Sequence, residues 1–172
     1  MEKVIFDNEA IKRSLRRIAH EILEKNQKMD EVVLVGIKTR GIYLANRLAS
    51  LIQKFEDVDV PVMPLDVREY RDDVKRVMVT EEKTAGTLLN DKVVIIVDDV
   101  LYTGRTIRAS FEAVLDFGRP SSIQLATLID RGHRELPIRA DYTGKNIPTS
   151  KSESVSVFLN EVDGEDLVII RG

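Results

Sequence analysis

With 172 residues, 43% of them hydrophobic and 32% charged, the chain has the length and apolar content for one globular domain with a sizeable core, and it falls outside the disordered class. It carries a net charge of -3 and no cysteine, which excludes disulfide frameworks, thiolate metal sites and cysteine nucleophiles; His20 and His133 cannot build a His-rich zinc site alone. No apolar run approaches the ~20 residues of a membrane span, and Asp7 interrupts the N-terminus too early for a signal peptide, so a cytoplasmic protein without a membrane partner is expected.

Residues 9–28 are predicted as an amphipathic helix. Ile11, Leu15, Ile18 and Ile22 recur at helical spacing, and Asp7 or Asn8 can cap the start. Residues 32–35 form a β-branched run read as a buried strand. Gly36 to Gly41 is a turn, and 41–54 a second helix with Leu44, Leu48, Leu51 and Ile52 on one face. Residues 58–67 contain Val58, Val60, Val62 and Leu65, while Pro61 and Pro64 mark an edge or irregular strand. Residues 68–90 lose apolar periodicity and alternate in charge. A loop of that length is read as a functional lid or a disordered segment, with room for a hairpin around Val77-Met78-Val79. Residues 93–97 are the strongest buried strand, and 104–117 a helix ending before Gly118 and Pro120. Strands are also predicted at 123–129, 155–159 and 167–170.

No repeat, low-complexity tract or interdomain linker interrupts residues 1–172, so one domain is expected. Apolar strands alternating with helices predict an α/β fold, a mostly parallel twisted sheet flanked by helices. In such sheets ligands bind beyond the carboxyl ends of the strands, which directs attention to the turns after Val35, Val97 and Ile129.

The segment Val93-Val94-Ile95-Ile96-Val97-Asp98-Asp99-Val100-Leu101-Tyr102-Thr103-Gly104-Arg105-Thr106 is the most informative. A buried strand ends in two carboxylates, a small hydroxylated turn follows, and a helix starts. A phosphate needs convergent backbone N–H groups, little Cβ obstruction and the positive end of a helix. Residues 102–106 can supply these, and the acids suit the vicinal hydroxyls of a ribose. The sequence lacks both the Walker Gly-Lys-Ser/Thr and the G-x-G-x-x-G dinucleotide pattern. The bland alternative is a βα turn with ordinary caps, against which stands the cost of burying two acids without purpose.

Residues 94–106 resemble the signature by which type I phosphoribosyltransferases bind phosphoribosyl pyrophosphate (PRPP). The likeness extends through Val35-Gly36-Ile37-Lys38-Thr39-Arg40-Gly41, Tyr70-Arg71-Asp72-Asp73, 119–126, 130–138 and 144–151. It is most similar to the bifunctional members that attenuate pyrimidine operons and act as uracil phosphoribosyltransferases. Only residues 74–90 depart noticeably, being short. The resemblance implies the type I fold with a small hood, and conversion of uracil and PRPP into UMP and diphosphate. It places Asp98 and Asp99 on the ribose hydroxyls. It assigns Val100, Leu101, Tyr102, Thr103, Gly104, Arg105 and Thr106 to the nucleotide and its 5-phosphate, and Lys38-Thr39-Arg40-Gly41 to the pyrophosphate. Taken alone, Lys38 and Arg40 read equally well as solvated surface charges. Tyr70 and Arg71 would belong to a lid at about 68–90 that shields an oxocarbenium-like transition state from water. Uracil would lie near Arg131 and Val155. No general base stands out: Asp130, at a strand end, can simply cap the next turn. Mg²⁺ would enter on PRPP oxygens without direct protein ligands.

The resemblance also implies regulation by UMP or UTP, an mRNA hairpin as partner, and a homo-oligomer (dimer, tetramer or hexamer). On the first helix, Arg13, Arg16, Arg17 and His20 cluster within about a third of the circumference, opposite the apolar stripe. That face reads either as a plain solvated surface or as an RNA contact. Residues 131–151 add Arg131, Arg134, Arg139, Lys145 and Lys151 against Glu135 and Asp141. Within this group, Arg134, Arg139 and Lys145 fall where the resembled family binds RNA, a ligand read through phosphates, 2′-hydroxyls and splayed bases. Two competing readings are a purine phosphoribosyltransferase with the same cradle and an RNA-binding regulator without significant catalysis. The intact acids and pyrophosphate turn disfavour the second.

Overall fold

β-Branched runs too apolar to leave either face in water build the centre of the molecule. A computed structural model describes residues 1–70 and 88–172. Five parallel strands, β2 (Val32–Ile37), β3 (Val62–Leu65), β4 (Val93–Leu101), β5 (Ser122–Asp130) and β6 (Tyr142–Asn146), lie in the order β3-β2-β4-β5-β6. β1 (Glu2–Phe6) and the late strands β7 (Ser154–Phe158) and β8 (Leu167–Arg171) make a separate antiparallel sheet in the order β1-β8-β7.

The two-residue period of β2 and β4 divides the core. Leu34, Ile95 and Val97 join Ala126 and Leu128 beneath α1 (Asn8–Lys25) and α2 (Arg40–Glu56). Val33, Val35, Val94 and Ile96 face the other way, onto Ile107, Ala113 and Val114 of α3 (Arg105–Leu115). Coverage of both faces explains why these strands read as unbroken apolar runs.

The predicted helices are present with shifted ends. Asp7 caps α1 by accepting the Ala10 N–H at 2.8 Å. The helix stops at Lys25, short of the expected residue 28, where Asn26 turns extended. The Asn26 amide donates to the Ile22 carbonyl and joins a buried network with Gln124 and the Tyr142 hydroxyl. β3 is shorter than the predicted 58–67 and, as the prolines required, lies at the edge. β1 and β6 were not predicted. β1 is mostly exposed and exists by pairing with β8 from the far end of the chain, and β6 contains Thr143-Gly144-Lys145, a weak strand former. A Cβ at Gly144 would run into the Leu128 carbonyl, so glycine is what admits β6 to the sheet edge. The hairpin expected around Val77-Met78-Val79, and most of the 68–90 lid, lie outside the described residues.

The antiparallel sheet and the short α4 (Asn160–Asp163) form a hood tied to α2. Arg40 meets Asp163 through two hydrogen bonds of 2.9 and 3.2 Å. Arg47 makes paired contacts with both Glu161 and Asp166, all between 2.7 and 2.9 Å.

Candidate functional site

Because β2, β4 and β5 are parallel and adjacent, their carboxyl ends open on one edge of the sheet, as ligand binding in this architecture requires. At the centre, Asp98 accepts the Asp99 N–H at 2.9 Å and Asp99 accepts the Val100 N–H at 2.7 Å, so both carboxylates lean toward the strand's carboxyl end. Neither has a cation beside it among the described residues. Burial pushes the Asp98 carboxyl well above the ordinary carboxylate range, and the neighbouring Asp99 charge adds to that.

The turn after β4 encloses a pocket of about 340 Å³ lined by residues 100–107 and Glu135. Its carbonyls are taken from behind. The Leu101 carbonyl accepts the Arg131 N–H, the Tyr102 carbonyl accepts an Arg134 Nη1–H at 2.6 Å, and the Thr103 carbonyl accepts the N–H groups of Glu135 and Leu136. The N–H groups of Tyr102, Thr103, Gly104 and Thr106 donate to no protein acceptor among the described residues. Gly104 has φ 93°, a conformation open to glycine, and any side chain there would crowd Ile138 and Arg134. The turn is therefore a set of free amides at a helix start, which suits a phosphate.

The second turn, Lys38-Thr39-Arg40-Gly41, is drawn against this centre by glycine. A Cβ at Gly41 would strike the Val97 carbonyl, and one at Gly36 would strike the backbone of Ile42. The Lys38–Thr39 peptide is cis. Lys38 and Thr39 are exposed, whereas Arg40 is occupied by Asp163 of the hood.

After β5, Asp130 caps its own turn: it accepts the Gly132 N–H at 3.0 Å and an Arg134 Nη2–H at 2.6 Å. Arg131 is 7% exposed. Its guanidinium stacks 3.9 Å from the Tyr102 ring centre and donates to the carbonyls of Glu153 and Ser150, leaving Nε without a partner. It thus bridges the 102–106 turn and the segment leading into β7, which carries Val155. His133, at φ 61°, contacts the Thr149 carbonyl through Nε2 and sets its ring edge against Tyr102. Sequence reasoning did not single out His133, Thr149 or Glu135 for this edge. Only the Arg105–Glu135 pair and the return of 131–138 behind the turn bring them there. Tyr70 lies in a short 3-10 turn whose carbonyl accepts Arg108; Arg71 is outside the described residues.

The basic face of α1 is a separate feature. Arg13, Arg16, Arg17 and His20, with Glu21 and Glu24, line an open concavity of about 370 Å³. Arg17 pairs with Glu21 and donates to the Thr143 and Gly144 carbonyls of β6. His20 stacks on Phe55 with ring centres 4.1 Å apart. Lys145 sits 5.4 Å from the Phe6 ring centre, and Arg139 is exposed. Arg134 is not part of this concavity. Its Nε, Nη1 and Nη2 donate to Ile138, Tyr102 and Asp130 behind the 102–106 turn, which places Arg134 in the 131–138 loop and apart from Arg13, Arg16 and Arg17.

Among known proteins, residues 2–161 match the phosphoribosyl transferase domain family. The bifunctional protein PyrR of Bacillus subtilis (strain 168) is 58% identical over 172 aligned residues, covering 97% of this chain and 95% of the relative. That of Clostridioides difficile (strain 630) is 55% identical over 171, with 97% and 96% covered. In three dimensions the chain is similar to a hypoxanthine phosphoribosyltransferase of Staphylococcus aureus, with TM-score 0.74 at 23% identity, covering 97% of this chain and 90% of that one. The hypoxanthine phosphoribosyltransferase of Trypanosoma cruzi gives TM-score 0.75 at 21% identity, covering 98% and 95%. At such identities these two likenesses speak for the fold.

Proposed function

Since this chain belongs to the phosphoribosyltransferase family and, within it, to the PyrR proteins, we propose that it joins uracil to PRPP, forming UMP and diphosphate, and that it binds an mRNA hairpin to attenuate pyrimidine genes. The observation carrying the catalytic half is the turn of residues 102–106, where the carbonyls are bonded from behind and, among the described residues, the amides are left open next to two acids with no cation beside them. In this reading the amides and the Thr103 and Thr106 hydroxyls hold the 5-phosphate. Asp98 and Asp99 hold the ribose hydroxyls. Lys38, Thr39 and the Gly41 backbone face the diphosphate, and Tyr70 and Arg71 belong to the reacting centre. Arg131 and the start of β7 take the uracil edge. The bond from C1′ to diphosphate breaks as the bond from C1′ to uracil N1 forms, and the N1 proton is released.

The unpaired acids also fit a divalent cation brought in on PRPP oxygens. Mg²⁺ in that place would neutralise the diphosphate as it leaves. The Arg13, Arg16, Arg17 and His20 concavity, with Lys145 on the adjacent strand, supports the RNA half. Among the described residues no helix is long and apolar enough to cross a membrane; we assign the protein to the cytoplasm, as a homo-oligomer controlled by UMP or UTP.

The deciding experiment supplies PRPP and Mg²⁺ with either uracil or hypoxanthine, and measures RNA-hairpin affinity with and without UMP. UMP formation together with UMP-strengthened RNA binding is expected. IMP formation in its place would overturn the uracil reading, and indifference to RNA would overturn the regulatory one.

A further inference from the structure

Beside the basic concavity runs a second, larger groove of about 990 Å³ between α1, α2 and the hood. Arg16 lines both, so the two depressions adjoin at its side chain. Their chemistry differs. The concavity on α1 is dominated by cations, whereas the groove presents Asn8, Asn46, Ser50 and Asn160. All four are exposed, and their side chains make no hydrogen bond among the described residues. Lys12, Arg16 and Arg47 in the lining stand against Glu161, Glu165 and Asp166, and Arg47 pairs with both Glu161 and Asp166. The lining there is largely charge-compensated and rich in amides that both donate and accept. Such a surface is poor for a phosphate and good for the edge of a base.

We propose that this groove holds a single unpaired base of the RNA, splayed from the hairpin and read at its edge by Asn46 with Asn8 and Asn160, while the adjoining phosphates rest on Arg13, Arg16 and Arg17. The assignment rests on the RNA-binding reading above. It follows from the place of Arg16 on both linings, because a nucleotide whose phosphate sits on that guanidinium has its base within reach of the groove. Structured RNA bound by shape alone needs only the cations; a row of unpaired amides beside them adds sequence discrimination at one position.

The test starts from RNA stem-loops with a randomised loop, selected on the wild-type protein. Asn46→Ala, Arg16→Gln and wild type are then titrated over a salt series with the selected RNA and with derivatives made abasic at each loop position in turn. Asn46→Ala should weaken binding about five- to tenfold, the worth of one or two hydrogen bonds, with an unchanged salt slope. Arg16→Gln should flatten the slope. At one loop position, base removal should cost the wild type a similar factor and cost Asn46→Ala nothing further, the non-additivity of two partners in one contact. Additive losses at every position would overturn the groove assignment while leaving the RNA reading intact, and so would a change in oligomeric state by Asn46→Ala, which would make the groove a subunit interface. Failure to select any salt-sensitive RNA on the wild type would overturn the RNA reading itself.

Discussion

The two acids at the end of β4 pull stability and function in opposite directions. Asp98 is held above its ordinary range by burial and by Asp99, so the folded protein retains a proton that the unfolded chain has already released. Between the ordinary carboxylate pKa and the raised folded value, the native state binds more protons, and stability falls as pH rises through that window. Asp98→Asn is therefore expected to stabilise the unliganded protein at pH 7 by about 1 kcal/mol, a gain typical of relieving a strained site. The gain should vanish below about pH 4, where the wild-type carboxyl is protonated in both states. Thermal melts of both proteins at pH 4 and pH 7 check this; equal differences at the two pH values would remove the linkage. The double variant Asp98→Asn, Asp99→Asn should lose UMP synthesis by a factor on the order of a hundred or more with its circular dichroism unchanged. Wild-type turnover would dissociate the acids from the ribose. Gly41→Ala, whose Cβ meets the Val97 carbonyl, should displace the 38–41 turn and raise KM for PRPP, a change read in initial-rate kinetics against uracil held constant.

At the scale of elements, the hood depends on α2 through charge. The Arg47 guanidinium holds the Glu161 carboxyl below its ordinary range. At Asp166, burial pushes the carboxyl upward, but Arg47 and the Asn160 N–H outweigh it. The Leu159 N–H and then Arg40 do the same for Asp163. For lowered carboxylates the contribution to stability is complete above the unfolded pKa and is lost as pH falls through the folded values, so hood attachment should weaken below about pH 4. Arg47→Met removes the cation from two partly buried acids and should cost about 2 kcal/mol near neutral pH, mostly through the groups left behind. Amide hydrogen exchange in β7 and β8 should rise more than in β4, and an even rise across both sheets would deny the hood its separate anchorage. The sequence is clear for elements whose own side chains decide them. α1, α2, α3, β2, β4 and β5 were visible because each buries a continuous face. β1 and β6 were not, because exposed Glu2-Lys3 and the glycine-centred Thr143-Gly144-Lys145 become strands only when β8 and β5 offer them an edge.

For the whole molecule, the β4 turn and the α1 face belong to different surfaces yet share a covalent and hydrogen-bonded route. Arg17 bonds to carbonyls of β6, and β6 follows the 131–138 loop that backs the 102–106 turn. Arg17→Gln should weaken RNA binding and reduce its salt slope by up to about one ion, while UMP formation stays near wild type, both measured on one preparation. The opposite pattern would mean that the faces were assigned in reverse. If UMP tightens RNA binding by some factor, RNA must tighten UMP binding by the same factor, because the coupling free energy is common to both sites. Titrating UMP calorimetrically with and without a saturating hairpin measures that reciprocity.

The sequence alone determined the parallel α/β architecture and the position of the turn between β4 and α3. Both are written locally, in an apolar run that ends in Asp98-Asp99 and passes through Thr103-Gly104 into a helix. Tertiary structure decided what those residues have left to offer. Arg40, taken from the motif as a pyrophosphate ligand, is held by Asp163 from 123 positions away. Arg134, which the resemblance implies as an RNA contact, also lends donors to Tyr102 and Asp130. Asp130 caps its turn, as a strand-end acid can, but only the fold shows that Arg131 bridges the 102–106 turn to the hood. A residue's type and spacing fix which bonds it can make. Which of them are already satisfied depends on partners that chain order does not reveal, and in a buried turn the groups left unsatisfied are the ones that remain for a ligand.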